Sequence, residues 1–96
     1  MSDLAVDCQP GGDGWICSVS MVDDGSRTEH EVAVSREELA RYGAGTTEPT
    51  ALVSESFRFL LEREPKESIM RRFELSVIER YFPEYGRAIG GRLGRA

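Results

Sequence analysis

The side chains of this chain that could act as a nucleophile, a base or a metal ligand are few and widely spaced. Nucleophilic catalysis needs a histidine close to a serine or cysteine, and a third group to orient that histidine. The single histidine, His30, falls in a predicted strand whose alternation directs it towards the apolar face. We therefore expect His30 to be a packed or hydrogen-bonded strand residue and not a catalytic base.

The two cysteines, Cys8 and Cys17, lie nine positions apart and form no C-x-x-C motif. Cys17 alternates with apolar residues in a predicted strand, where a free thiol behaves as a small hydrophobic side chain. The pattern predicts a buried, structural Cys17 and an incidental Cys8. A disulfide between them is geometrically feasible, but no motif supports it.

Metal and phosphate sites lack their usual spacings. Zinc sites need paired Cys, His or acidic ligands, and calcium loops need regularly spaced oxygens that end in a bidentate glutamate. Asp13, Asp23 and Asp24 sit in glycine-containing segments that are typical of turns. The glycine-rich runs at 11–14 and 90–94 do not lie between a strand and a helix, and no Gly-Lys-Ser/Thr follows them. We therefore predict no enzyme activity, no metal site and no cofactor.

Two segments with a period of two predict the β structure that would position these residues. Residues 15–22 and 27–34 alternate apolar with polar side chains, and the intervening 23–26 has the composition of a turn. The pattern predicts an antiparallel hairpin with one apolar face. Because a lone hairpin is marginally stable in water, helices must cover that face.

Capping and periodicity predict those helices. Ser35 and Glu38 match the capping box, which predicts a short helix that ends before Gly43. A longer amphipathic helix is predicted over 48–63, with Phe59 outside its apolar stripe and therefore either partly exposed or engaged in a second contact.

Two further short helices are predicted near the C-terminus. The first covers 69–73 after a cap at Ser68, and the second covers 77–82 after a second capping box formed by Ser76 and Glu79.

The predicted architecture is α+β: a two-stranded antiparallel β-hairpin packed against three to four short helices. The ordered domain is predicted to span 15–85. Residues 1–14 and 86–96, which are rich in glycine and poor in large apolar side chains, are predicted to be flexible tails, and the second tail is basic.

Composition indicates a soluble single-domain protein. The 96 residues carry a net charge of −5, with 40% apolar and 30% charged side chains. Ten acids face three arginines in 1–48, whereas nine basic residues face seven acids in 49–96. No apolar run reaches the roughly 18 residues that a membrane span needs, and the acids in 1–7 do not fit a secretory signal. We therefore expect a cytoplasmic protein with no membrane contact.

Large aromatic side chains are numerous for so small a domain. Aromatic residues are enriched where proteins bind partners. This surplus predicts a non-catalytic protein-interaction module, which contacts another protein or a second copy of itself in a homodimer. Its contact residues would be Trp15, Tyr81, Phe82 and Tyr85. A small domain can also bury every aromatic in its core, and that interpretation stays open.

A helix-turn-helix at 68–82 is the alternative interpretation, which gives a nucleic-acid-binding or regulatory protein. Its contacts to phosphates would be Arg71, Arg72 and Arg80. The overall acidity opposes phosphate binding, and the second predicted helix is short and largely apolar. Nucleic acid is therefore the disfavoured partner.

The block Arg-Arg-Phe-Glu-Leu-Ser-Val-Ile-Glu-Arg-Tyr-Phe-Pro-Glu-Tyr at 71–85, together with 57–65 before it, carries a resemblance. It resembles the C-terminal part of short bacterial hypothetical proteins of unknown function, and the similarity covers roughly residues 30–85. The resemblance implies a bacterial source, and it brings no activity, cofactor or catalytic residue with it.

Overall fold

A four-stranded mixed sheet forms one layer of the protein in the computed structural model, which describes residues 3–94. Its strands are β1 Asp3–Gly11, β2 Gly14–Asp23, β3 Ser26–Ser35 and β4 Arg72–Glu74. They lie in the order β1-β2-β3-β4, with β2 antiparallel to both β1 and β3, and β4 parallel to β3. Because two parallel neighbours require a crossover connection, the chain between β3 and β4 must pass over one face of the sheet.

Four helices within the described residues cover that face. They are α1 Arg36–Tyr42, α2 Pro49–Leu61, α3 Val77–Tyr81 and α4 Tyr85–Leu93, and a short 3-10 turn spans Lys66–Ser68. Alternate side chains of β2 and β3 are buried in one cluster with the apolar side chains of α2. The opposite face of the sheet, which we call the open face, carries mostly polar and charged side chains. The chain is therefore an α+β protein with a single core.

The prediction of a two-stranded hairpin with a flexible N-terminal tail is wrong. The hairpin of β2 and β3 exists, but β1 occupies most of the predicted tail and pairs with β2 along its whole length. Leu4, Val6 and Cys8 lie on one face of β1 and pack against the core, which explains why this segment is ordered. Residues 1 and 2 lie outside the described part of the chain.

The predicted flexible C-terminal tail is also wrong over most of its length. Residues 85–93 form α4, in which Tyr85 and Ile89 are fully buried. They lie four positions apart, on one side of the helix, and this side packs against α2. The burial of two large side chains thus compensates for the low helix propensity of glycine. Residues 95 and 96 lie outside the described part of the chain.

The predicted helix-turn-helix at 68–82 does not form. Its first helix is replaced by β4. The Arg71 carbonyl accepts a hydrogen bond from β3 at 2.7 Å, and the Leu75 N–H donates one to β3 at 3.0 Å. Ser76 does not cap α3 with its side chain, and the Glu79 carboxylate accepts a hydrogen bond from the Tyr42 hydroxyl at 2.8 Å instead. The ladder with β3 therefore outweighs the local helical pattern.

The capping box at the start of α1 is confirmed. The Glu38 N–H donates to the Ser35 hydroxyl at 3.0 Å, and the Ser35 N–H donates to the Glu38 carboxylate at 2.8 Å. Of the two alternatives for Phe59, the second contact is confirmed: the residue is fully buried, because Phe82 and Tyr85 pack edge-on against its ring. These contacts come from segments that the prediction placed elsewhere.

Cys8 and Cys17 form a disulfide, so the prediction of a free Cys17 thiol is wrong, although Cys17 is buried as expected. The two residues are direct partners in the register of β1 and β2, with their Cα atoms 3.9 Å apart. The disulfide depends on the formation of β1, because a flexible N-terminal tail would not place Cys8 opposite Cys17.

Candidate docking groove and the outer edge of the sheet

Exposed apolar side chains cluster at one place on the surface. Within residues 3–94 the exposed large hydrophobic side chains are Ile16, Met70 and Tyr81, with 39%, 41% and 66% of their area accessible. Ile16 stands alone on the open face, whereas Met70 and Tyr81 line the same depression. A shared depression concentrates apolar surface that is otherwise scattered singly over a protein.

This depression, which we call the apolar groove, has a volume of about 380 Å³. It lies between the C-terminal end of α2, the segment leading into β4, and α3. Its floor consists of nearly buried side chains and its rim includes Glu64 and Ser68. The floor residues are Leu60, Ile69, Phe73 and Ile78. The groove therefore joins an apolar floor to two exposed apolar walls.

His30 fixes the backbone at the wall of the groove. Its Nδ1 lies 2.7 Å from the Met70 carbonyl, and because a carbonyl only accepts, Nδ1 is the donor. Its Nε2 lies 3.0 Å from the Thr28 hydroxyl, and its ring packs against Phe57. The expectation of a packed and hydrogen-bonded strand histidine is confirmed.

Lys66 anchors the other end of this segment. Its ammonium group donates to Asp23 at 2.5 Å, to the Ser26 hydroxyl at 2.6 Å and to Glu67 at 2.8 Å. Only 4% of the residue is exposed. The hydrogen bond to Asp23, followed by the one to Glu67, raises the pKa of Lys66 above its usual value. The 3-10 turn that leads into the groove is thus tied to the turn between β2 and β3.

The outer edge of β4 lies beside the groove, because β4 is the last strand of the sheet and Phe73 belongs to both. The Arg71 carbonyl and the Leu75 N–H point at β3. Since successive residues of a strand direct their backbone groups to opposite sides, the N–H and C=O groups of Arg72 and Glu74 point away from the sheet. This edge therefore offers backbone hydrogen-bonding groups next to an apolar depression.

The arginines proposed for phosphate contact do not form one surface. Arg71 and Arg72 line a shallow hollow of about 720 Å³ on the open face, where Arg72 forms an ion pair with Glu31 at 3.4 Å. Asp7 also lines this hollow. Arg80 lies elsewhere, beside Tyr42 and Glu79. Arg71 and Arg72 are thus brought together among acids, and Arg80 is separate from them.

The four aromatic residues predicted as a contact surface are also divided. Tyr81 and Phe82 both line the apolar groove. Trp15 lies on β2, where the Arg36 guanidinium covers its ring at 5.4 Å. Tyr85 is fully buried, and its hydroxyl lies 2.6 Å from that of Ser56. Burial raises the pKa of the Tyr85 hydroxyl well above its usual value.

Most residues of the groove were missed because 69–73 was interpreted as a helix. A strand signal was present in the sequence: Phe73 and Leu75 are apolar and buried, whereas Arg72 and Glu74 between them are charged and exposed. This period of two spans only four residues, which is too short to compete with a capped helical pattern. Met70 lines the groove only because β4 forms next to it, and no pattern in the sequence indicates this position by itself.

Residues 3–94 contain no group of three or more His, Cys, Asp or Glu side chains that could hold a metal ion. Over the same residues, every buried side-chain nitrogen or oxygen has a hydrogen-bond partner. No helix of the described chain combines the length and the apolar character that crossing a membrane requires.

Comparison of the chain with models of known protein families, with curated proteins and with solved structures finds no match. The resemblance to short bacterial proteins stays a prediction. The apolar groove and the outer edge of β4 are therefore the features from which a function can be inferred.

Proposed function

We propose that this protein is a non-catalytic interaction module that binds a protein partner in the apolar groove. One observation carries the proposal: of the three large apolar side chains exposed in the described residues, Met70 and Tyr81 line the same groove. Flexible methionine and amphipathic tyrosine are both enriched at the core of protein interfaces. The buried floor beneath them supplies a pocket into which a partner side chain can insert.

The charges at the β1 edge disfavour a second copy as the partner there. Pairing β1 with β1 about Ala5 would bring Asp3 opposite Asp7 of the copy. Like charges on directly opposed strands are destabilising. A homodimer built through two β1 edges is therefore disfavoured by the charges on them.

Nucleic-acid binding is not part of this proposal. The first of the two helices that would have carried it is replaced by β4, and the arginines 71 and 72 share their hollow with Asp7, Glu29 and Glu31. Carboxylates beside a phosphate-binding surface oppose the charge neutralisation on which such binding depends.

We propose that the protein resides in the cytoplasm. The oxidation state of Cys8 and Cys17 in cells tests this. Disulfides persist mainly in oxidising compartments, whereas cytoplasmic thiols are usually kept reduced. Alkylation of thiols during lysis under denaturing conditions, which expose the buried Cys17, should label both Cys8 and Cys17 if the protein resides in the cytoplasm. Complete protection from alkylation would place the protein in an oxidising compartment instead.

The function is tested by capture from a lysate of the source organism with matched variants. Tyr81→Ser and Met70→Ser remove apolar surface from the groove, and Ile16→Ser removes a comparable exposed side chain from the open face. A partner retained by the wild type and by Ile16→Ser, but lost from both groove variants, is the expected result. Equal retention by all three variants would contradict docking in the groove.

A further inference from the structure

We propose that the apolar groove and the outer edge of β4 form one site, which binds an extended peptide segment by adding it to the sheet as a fifth strand. This inference rests on the proposed function, docking in the groove, and deepens it by naming the kind of segment bound. The segment carries apolar residues at alternate positions and an acidic residue between two of them.

The backbone of β4 directs hydrogen-bonding groups outwards at the edge of the sheet. The N–H and C=O groups of Arg72 and Glu74 point away from β3, as the bonds made by Arg71 and Leu75 require. An edge strand with such groups is a template for a further strand. Strand addition of this kind gives affinity through backbone bonds and specificity through pockets for alternate side chains. The groove is the pocket that this mode needs.

The two faces of the sheet define what the alternate side chains must be. A strand beside β4 directs every second side chain to the helical side, next to Phe73 and over the apolar groove. A volume of about 380 Å³ accommodates apolar side chains there. The intervening side chains lie on the open face, next to Arg72 and Glu74.

The charge of the edge indicates an acidic residue in the segment. The Arg72 side chain is 82% exposed, and its ion pair with Glu31 uses one side of the guanidinium. A guanidinium has five N–H donors, so a carboxylate on an added strand can bind its other side. Because Asp7, Glu29 and Glu31 line the same hollow, this complementarity is local to the position opposite Arg72. An acidic side chain opposite Arg72 is therefore complementary to the site.

The test uses the full chain labelled with ¹⁵N and the peptide acetyl-Thr-Leu-Glu-Val-Thr-Leu-Thr-amide. Binding should shift the backbone resonances of Met70 and Tyr81 and slow the amide hydrogen exchange of Arg72 and Glu74, because these two N–H groups gain partners. Shifts at the groove with unchanged exchange at Arg72 and Glu74 would overturn strand addition and leave docking in the groove intact.

A charge exchange identifies the acidic contact. Arg72→Glu should weaken binding of this peptide by roughly three- to ten-fold, as expected for an opposed pair of charges on neighbouring strands. A peptide with lysine in place of glutamate should bind Arg72→Glu better than the wild type. Arg80→Glu, the same change at an exposed arginine on another surface, should leave both affinities unchanged. Equal effects of the two substitutions would overturn the assignment to Arg72.

Two other results would also decide against the proposal. No binding of either peptide at millimolar concentration would overturn strand addition, while the capture experiment decides separately whether the groove binds a partner. The β1 strand also alternates Asp3, Leu4, Ala5, Val6 and Asp7. Multimers that grow with concentration and are lost in Asp7→Arg would make a second copy the occupant and overturn a separate partner.

Discussion

The hydroxyl oxygens of Ser56 and Tyr85 lie 2.6 Å apart inside the core and join α2 to α4. The Ser56 hydroxyl also lies 2.7 Å from the Leu52 carbonyl and donates to it, so the Tyr85 hydroxyl is the donor towards Ser56. Two polar groups are thus buried with their bonds satisfied. The tyrosine that the sequence suggested for a contact surface is a structural tie between two helices.

Substitution of Tyr85 should therefore affect stability. Tyr85→Phe should lower the free energy of unfolding by about 1 kcal/mol, through loss of one buried hydrogen bond. Tyr85→Ala should lower it by about 3–5 kcal/mol, because a large cavity is left in the core. Urea unfolding followed by circular dichroism measures both. Tyr81→Ala is the matched control and should change stability by less than about 0.5 kcal/mol; similar losses for Tyr81→Ala and Tyr85→Ala would contradict this placement.

Stability should fall as the pH rises above about 10. Burial raises the pKa of Tyr85, and the bond to Asp23 raises the pKa of Lys66, so both groups hold their protons in the folded protein. In the unfolded chain they lose them near their usual pKa values of 10.0 and 10.5. The folded state then binds more protons than the unfolded state, and the free energy of unfolding decreases with pH. Urea unfolding at several alkaline pH values should show a shallower decrease for Tyr85→Phe; an identical slope would show that Tyr85 does not contribute.

Reduction of the disulfide should destabilise the protein by about 2–3 kcal/mol, if its main effect is to restrict the unfolded chain over the short loop between Cys8 and Cys17. Urea midpoints with and without a phosphine reductant measure the difference. The double variant Cys8→Ser/Cys17→Ala should unfold at the same urea concentration in both conditions. Retention of wild-type stability under full reduction would show that the β1–β2 ladder alone holds the edge strand.

Two glycines should respond in opposite directions to replacement by alanine. A Cβ at Gly14 would lie 2.0 Å from the Val34 carbonyl oxygen, so β2 and β3 would have to separate there. A Cβ at Gly91, in α4, would meet nothing within 4 Å. We expect Gly14→Ala to destabilise the fold and Gly91→Ala to stabilise it by up to about 1 kcal/mol through helix propensity. Thermal unfolding of the two variants checks this, and a stable Gly14→Ala protein would contradict the close approach.

Local patterns were sufficient for the central elements of this fold. The hairpin of β2 and β3 has a clear period of two, α1 has a capping box, and α2 has an apolar stripe. In each case neighbouring residues determine the structure. The buried His30 followed from the same alternation.

The outer elements could not be predicted in this way, because distant contacts decide them. The glycines of α4 oppose a helix locally, and only the burial of Tyr85 and Ile89 against α2 compensates for them. β4 exists because β3 provides its ladder. The apolar groove depends on β4, so of its residues only Tyr81 and Phe82 were anticipated.

The hydrogen bonds that hold the segment between α2 and α3, which lines the apolar groove, have a consequence for the order of folding. Met70 is bound to His30, Lys66 to Asp23, and the Ser76 N–H to Glu38, at sequence separations of 40, 43 and 38 residues. The successive hairpins of β1, β2 and β3 close much shorter loops, and short loops close at a lower entropic cost. We therefore expect the three-stranded meander to form first and β4 to join last. A chain that has not completed this final step lacks the outer edge of β4 and the apolar groove, so the site proposed above exists only in the fully folded protein.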